Sequence, residues 1–599
     1  VAADDLPEPE GDLMMVSLVL LVAILVIGGG IAGIVMAARR AAGPGDGPAR
    51  AQPTVRRVIV FTLLFALVVI AAIGVGGLLG RLLDSGNALA SSDITGLARS
   101  LAFTLIAGPF AAVLWWLLWR RMGPDERSSL AWGLYLAAMS TVSLVTASAA
   151  LLTCAAALVR ADWQPRTLAT GVVWAGVWVW HRWMSRHDRK SPRRLVTVAP
   201  VLGSVFGLVV GAGGLVTALG SLADAAIDGF APSIVVGEPW WRLTLQAIIW
   251  CAGGVAVWWW HWFVDRASAL RGGLADVALV SVGVAGASIL SLGGAGTALF
   301  TLLKLALDRS APVAQILDPL GTALAAALVG ALVWQYHRGL ATARSDRTRL
   351  AAGVVTSGVG LVAAASGLGV IVNSILAAGT ATLAGSDTRS LLLGGISALV
   401  VGGPVWWVAW KPAKPVDPAQ VGATGRRVYL VLIFGLSAVV AIVTLLVIGY
   451  RIFEFALSDA TGQSLVDRVR APLGLLVATG LAAGYHFAVW RRDRSAITAA
   501  PGREHTVGRV ILVTGADPEP LARAVGDATG AAVTVWRRAG TEPVGAAPVG
   551  ADAVGADAVD ADAGPTARQL VDALRGVTGK RVLVVAGPGS RIDVIPLRD

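Results

Sequence analysis

Three histidines stand at matching places in this apolar chain, each three residues after a tryptophan. The copies read Trp178-Val-Trp-His181-Arg182, Trp258-Trp-Trp-His261-Trp262 and Trp334-Gln-Tyr-His337-Arg338. Imidazoles held in apolar surroundings can do three things. They can ligate a haem or metal, because neutral imidazole is the commonest protein ligand. They can gate in response to pH. Or each can hydrogen-bond a neighbouring backbone carbonyl, which asks for the least. On a helix, positions i, i+3 and i+4 share a face, so Trp258, His261 and Trp262 form one patch. No Glu-x-x-His spacing or opposed histidine pair accompanies them, so no cofactor and no metal is expected. Cys154 and Cys251 sit in apolar runs without CxxC spacing and read as small core residues.

The patch recurs in weaker form. Trp115-Trp-Leu-Leu-Trp119 and Trp406-Trp-Val-Ala-Trp410 lack the histidine, and His486-Phe-Ala-Val-Trp490 reverses the order. Copies are about 65 to 80 residues apart, the signature of a tandem array. Tryptophans at helix ends are expected to form an interfacial belt, ring in the acyl region and N–H among headgroups. In that setting Trp178, His181, Trp258, His261, Trp262, Trp334, His337, Trp406 and Trp410 are the candidate interfacial or gate residues.

Composition names the solvent these elements meet. Of 599 residues 55% are hydrophobic and 15% charged, against roughly 25% charged in soluble domains. The net charge of +11 is a topology signal, not a nucleic-acid footprint: the last hundred residues hold 11 basic and 12 acidic groups, so the excess lies beside the apolar segments. The 72 glycines suit helices that pack closely in lipid, and the 22 tryptophans suit interfacial belts.

A first apolar run covers roughly 16–36, between an acidic stretch and Arg39-Arg40. The charge order is the reverse of a secretory signal, so an uncleaved helix is expected. Six pairs of apolar segments follow: 58–80 with 100–119, 128–158 with 167–181, 195–222 with 243–263, 274–307 with 320–337, 350–378 with 391–410, and 428–450 with 472–490. Thirteen transmembrane helices in an all-α polytopic fold are predicted, six tandem hairpins among them. Loops on the tryptophan–histidine side carry 27 Lys/Arg and the opposite loops 11, which predicts the N-terminus outside and the C-terminus in the cytoplasm of a plasma membrane. Several first helices close on an aspartate (Asp84, Asp228, Asp308, Asp459), read as helix ends in water. Segment centres hold almost no ionisable residue, Asn373 being among the few polar ones, which argues against a carboxylate-driven antiporter.

The expected domains are 1–55 (acidic N-terminus, first helix, basic linker), 56–494 (the membrane modules), 495–505 (linker) and 506–599. The last has a β-α-β-α-β-β pattern, a small α/β domain with a parallel core, a terminal hairpin and a disordered insert at 540–565. Thr514, Gly515 and Asp517 form a turn at the carboxyl end of its first strand, the place for a ligand. No GxGxxG or GxxxxGK[ST] supports a nucleotide, and no Ser-His-Asp or Cys-His set supports an enzyme.

The stretch Gly402-Gly-Pro-Val-Trp406-Trp-Val-Ala-Trp410 resembles the Gly-x-Pro-x-Trp-x-x-x-Trp motif of an uncharacterised bacterial membrane family, a domain of unknown function built of two-helix modules. The resemblance extends loosely over 56–494. It implies a polytopic bacterial membrane protein and carries no activity. Two functions are weighed: a non-enzymatic scaffold or sensor that docks a protein partner through its tail, and a channel or permease gated by the His/Trp belt. A haem-binding electron-transfer subunit ranks third. Beyond the tail's protein partner, the lipid bilayer is the other expected partner.

Overall fold

The computed structural model describes residues 51–84, 94–230, 239–308, 310–380, 386–410, 424–457, 464–499, 507–515, 518–537, 565–575, 577, 579–587 and 591–597. Contacts divide the chain into two units, 1–415 with 424–486, and 416–423 with 487–599. The first predicted apolar run at 16–36, Asp459, Asp517 and nearly all of the insert at 540–565 lie outside the described residues.

Long helices follow one another from residue 51. They are α1 Ala51–Leu83, α2 Ile94–Arg121, α3 Leu130–Leu158, α4 Pro165–Arg186, α5 Val198–Phe230, α6 Trp240–Val264, α7 Gly273–Leu307, α8 Leu320–Arg344, α9 Asp346–Thr380, α10 Ser386–Trp410, α11 Thr424–Leu457 and α12 Leu465–Ala499. Among the described residues eleven helices are long and apolar enough to cross a membrane. α4 is a 22-residue helix outside that group: its arginines and its His181 dilute a short apolar run. The chain is thus a multi-pass membrane protein, and the count of thirteen is not reproduced among the described residues. α1, α5, α9 and α11 run 33 to 35 residues, about 50 Å at 1.5 Å per residue, against a hydrocarbon core of about 30 Å.

Glycine decides how these helices meet. A Cβ at Gly254 of α6 would run into the backbone of Gly211 on α5; Gly207 and Gly214 abut Trp258 and Cys251 in the same way. The pattern repeats with Gly294 and Gly330 between α7 and α8, and with Gly360, Gly367, Gly395 and Gly402 between α9 and α10. Lipid removes the hydrophobic drive for helices to associate, so close backbone packing must supply it. From α4 onward each even helix also packs on the odd helix three before it: α4 on α1, α6 on α3, α8 on α5, α10 on α7. α12 continues the series, since Gly369 of α9 meets Gly474. A large buried cluster joins Phe61, Leu64 and Phe65 of α1 to Trp132, Tyr135, Leu136 and Met139 of α3 and Trp174 and Met184 of α4. α11, by contrast, exposes Val431, Leu436, Val439, Ile442, Leu446 and Phe453, as a lipid-facing helix does.

Among the described residues three π-helical stretches interrupt the ladder, at Phe103–Ala107, Trp260–Val264 and Leu279–Gly286. Such turns re-aim the side chains around them, and the second contains His261 and Trp262.

The second unit carries β1 Val507–Thr514, α13 Pro518–Thr529, β2 Ala532–Arg537, α14 Ala567–Ala573, β3 Gly579–Ala586 and β4 Ile592–Leu597. The sheet order is β2-β1-β3-β4; β1 pairs parallel with β2 and β3, and β3 antiparallel with β4. Both helices pack on Val510, Leu512, Val582 and Val584. Thr566 and Gln569 close a capping box that starts α14.

Gly254→Val should lower the unfolding temperature of purified protein by the equivalent of about 1–3 kcal/mol, the usual cost of overpacking. Gly213→Ala, where a Cβ meets nothing within 4 Å, should be neutral or stabilising. Equal effects of the two would contradict the packing described.

Candidate functional site

The four histidines on helices α4, α6, α8 and α12 share one local geometry. Nδ1 lies 2.8 Å from the Val177 carbonyl in His181, 2.9 Å from Val257 in His261, 2.8 Å from Val333 in His337 and 2.8 Å from Ala482 in His486. A carbonyl only accepts, so Nδ1 carries the hydrogen and Nε2 presents its lone pair. That lone pair faces into a helix seam. At His181 the Tyr135 hydroxyl of α3 donates to Nε2 at 2.9 Å. His261 abuts Gly203 of α5, and His337 abuts Gly283 of α7. His486 meets Tyr429 of α11 edge-on, ring centroids 5.7 Å apart at 68°, with its Nε2 buried and unbonded among the described residues. In each case the imidazole fastens an even helix to the odd helix before it. All four are buried, and among the described residues no three metal-capable side chains come together.

The tryptophans form a second layer. Trp262 donates from Nε1 to the Tyr336 hydroxyl at 2.8 Å, and its ring lies 5.6 Å from His337. Trp410 does the same to Tyr485 at 3.0 Å, with its ring 5.8 Å from His486. Trp258 meets Tyr336 edge-on at 6.3 Å and 76°; Trp406 meets Tyr485 at 5.4 Å and 75°. An analogous edge contact, Trp115 to Trp180 at 6.2 Å and 71°, joins α2 to α4. The Nε1 atoms of Trp258, Trp334 and Trp406 are buried without a bonded partner among the described residues. Trp178 lies beneath the Arg182 guanidinium, 5.3 Å away.

A matching set of contacts lies toward the other helix ends. Gly80 of α1 abuts Arg166 of α4, and Asp84, one turn on, pairs with Arg166 at 3.8 Å. Gly220 of α5 abuts Thr322 of α8, and Asp224 abuts Gly321. Gly369 of α9 meets Gly474 of α12, and Asn373 accepts from Arg470 at 3.3 Å. Gly-x-x-x-Asp/Asn thus recurs three times at one structural place. Asp308, expected to end α7 in water, is 2% exposed, near Arg389 and Ser390 of α10.

One charged cavity interrupts the apolar seams. It measures about 160 Å³ and lies between α3, α4, α5 and the end of α6, lined by Arg182, Ser185, Arg186, His261 and Asp265 at one end. Arg182 grips Asp265 with two bonds, 2.9 and 2.6 Å, and Arg186 adds a third at 2.9 Å. Burial pushes the Asp265 carboxyl up, but the Arg182 bond and the charges of Arg182 and Arg186 outweigh it and hold the group below the usual carboxylate range. A larger cleft, about 450 Å³, opens between α9, α11 and α12 and is almost wholly apolar.

In the second unit Thr514 is buried at the end of β1 and Gly515 is exposed beyond it; Asp517 lies outside the described residues. Sequence reasoning missed the partners: Tyr135, Tyr336, Tyr429, Tyr485 and Asp265. A signal existed, because the chain has only five tyrosines and four of them stand against the histidine or tryptophan motif.

Two stretches, 57–178 and 351–481, match the model of a family described as a domain of unknown function, DUF5671. No curated protein and no solved structure matches the chain. The first match runs from α1 into α4 and the second from α9 into α12.

Asp265→Asn should destabilise the protein by about 3 kcal/mol at neutral pH, the scale for breaking a buried pair. Because the native carboxyl is held low, its contribution is complete above the ordinary value of about 4 and is lost as pH falls through the lowered native value. The gap between wild type and variant, read from unfolding midpoints, should be flat from neutral pH to about pH 4 and close below it. A gap that closes between pH 7 and 5 would contradict this assignment.

Proposed function

We propose that this is a non-enzymatic membrane scaffold or sensor of the plasma membrane, which docks a protein partner through its C-terminal α/β unit. The observation that carries the reading is the use of the belt. Each motif histidine bonds a carbonyl of its own helix through Nδ1 and packs on the helix before it, which favours joining helices over gating a path. The channel reading needs those side chains free.

The scaffold is read as three copies of one four-helix unit: α1–α4, α5–α8 and α9–α12. The two family matches frame the first and last copies. The middle copy is supported by its contacts, since Trp258, Trp262, Tyr336 and His337 stand as Trp406, Trp410, Tyr485 and His486 do. Basic loops at the histidine ends put that face, and the tail, in the cytoplasm by the positive-inside rule. With a segment at 16–36 added, the array has thirteen helices in six hairpins.

The tail offers a surface for a partner. With both helices on one face of the sheet, the other presents Ile511, Val513, Leu583 and Val585 half-exposed, and Trp536 and Ile595 at 58% and 46% exposure. An exposed apolar face of this kind marks an interaction site.

Two measurements test the reading. Liposomes holding the purified protein should pass ions and small solutes no faster than empty ones, and His261→Ala should change nothing in that flux. A photo-crosslinking residue at Trp536 should capture a second protein in cells, and Leu583→Asp should abolish the adduct. Flux that His261→Ala alters would establish the channel instead; adducts confined to the protein's own chain would remove the docking role.

A further inference from the structure

The cavity between α3, α4, α5 and α6 has the build of a lipid site. We propose that it holds the phosphate of an anionic phospholipid, with the glycerol and the first acyl carbons against its apolar wall.

Charge comes first. Two guanidinium groups face one carboxylate, which leaves a net positive charge at the cavity's polar end. Arg182 spends two of its five N–H donors on Asp265 and Arg186 spends one. Arg182 is also held between the rings of Trp178 and Trp260, each 5.3 Å from its guanidinium carbon. The fork is therefore fixed before any ligand arrives, which lowers the entropy cost of binding one. Arg186 is more open, its side chain 58% exposed, and can turn to an incoming anion.

Shape comes second. The polar groups lie at one end of the helices. The wall then continues along α3 through Ala137 and Ser140 to Leu144. Gly133 to Leu144 spans about 16 Å at 1.5 Å per residue, so the cavity runs from the charged helix ends toward the apolar interior. Such a gradient matches a phospholipid and not a soluble anion. At about 160 Å³ it is smaller than the roughly 300–1,000 Å³ of sites for soluble small molecules. It suits a phosphate and its immediate esters. Basic pockets between transmembrane helices hold anionic lipid headgroups by this chemistry.

Backbone comes third. Leu195, on the cavity wall, and Arg266, next to Asp265, adopt φ of 58° and 57°. Left-handed backbone at non-glycine residues costs about 1–3 kcal/mol and clusters at ligand clamps. Here it brackets the cavity from both sides.

The experiment uses the purified full-length chain in detergent, presented with phosphatidylglycerol or phosphatidylcholine, and reads lipid retention by native mass spectrometry. Phosphatidylglycerol should be retained in preference. Arg186→Gln should weaken retention about tenfold, the worth of one charge-assisted hydrogen bond. Ala199→Phe, which fills the apolar wall, should abolish retention while the unfolding temperature stays near that of wild type. Equal retention of the two lipids, or wild-type retention by both variants, would overturn the proposal. So would inorganic phosphate that protects the protein against unfolding while phosphatidylglycerol does not, because that result assigns the cavity to a soluble anion.

Discussion

Close approach of helix backbones through glycine is the constraint on which the rest of this protein depends. Where Gly211 meets Gly254 or Gly367 meets Leu399, two helices touch without side chains between them. In water such contacts would be minor beside hydrophobic burial. In lipid, tails are as apolar as leucine, and the dispersion gained at short range becomes the main term. The α5 glycines at 203, 207, 211 and 214 keep one face bare for about three turns. That bare face fixes the depth at which α6 docks, and therefore where its final turn and His261 come to rest.

The histidine is the lock at the end of this seam. A side chain placed there must abut a glycine such as Gly203 or Gly283 closely, and must satisfy its own polar atoms in a dry setting. Imidazole does both, because Nδ1–H reaches the carbonyl one turn back and the ring presents a plane. Where α3 has a tyrosine in place of glycine, the hydroxyl meets Nε2 directly. One residue type thus serves seams of different local shape. The tryptophans extend the lock sideways to the next even helix: Trp262 to Tyr336 and Trp410 to Tyr485. A motif whose residue types suit ligand chemistry also packs helices together, and the charged cavity at Arg182, Arg186 and Asp265 adds polar capacity beside it.

How much of this was legible in the sequence depends on the range of each interaction. Helix positions were legible because about 20 apolar residues must cross a bilayer, and every pair from 58–80 to 472–490 lies on a long helix. The strands of the second unit were legible for a similar local reason: Val510 to Val513 and Arg581 to Val585 alternate about one buried face. The α4 segment read less well, because Arg182 and Arg186 follow so closely on a short apolar run. The seams did not read at all. Asp265 looks like one more charge in a basic loop until Arg182, 83 residues earlier, is brought beside it. Asp84 looked like a helix end in water, yet with Gly80 one turn before, it forms a helix contact, and Asp224 with Gly220 repeats the arrangement. Tyr336 and Tyr485 stand directly before a histidine, but the tryptophans they serve lie 74 and 75 residues away.

The central claim is that the same aromatic seam is built more than once along the chain. A pair of double-mutant cycles tests it most directly: Trp262→Phe with Tyr336→Phe, and Trp410→Phe with Tyr485→Phe, each read as unfolding free energy in one detergent. Equivalent seams predict a coupling of about 1 kcal/mol in both cycles, the net worth of one hydrogen bond, equal within about 0.5 kcal/mol. Coupling in one cycle and none in the other would contradict it, and the repeated four-helix unit would lose its physical basis.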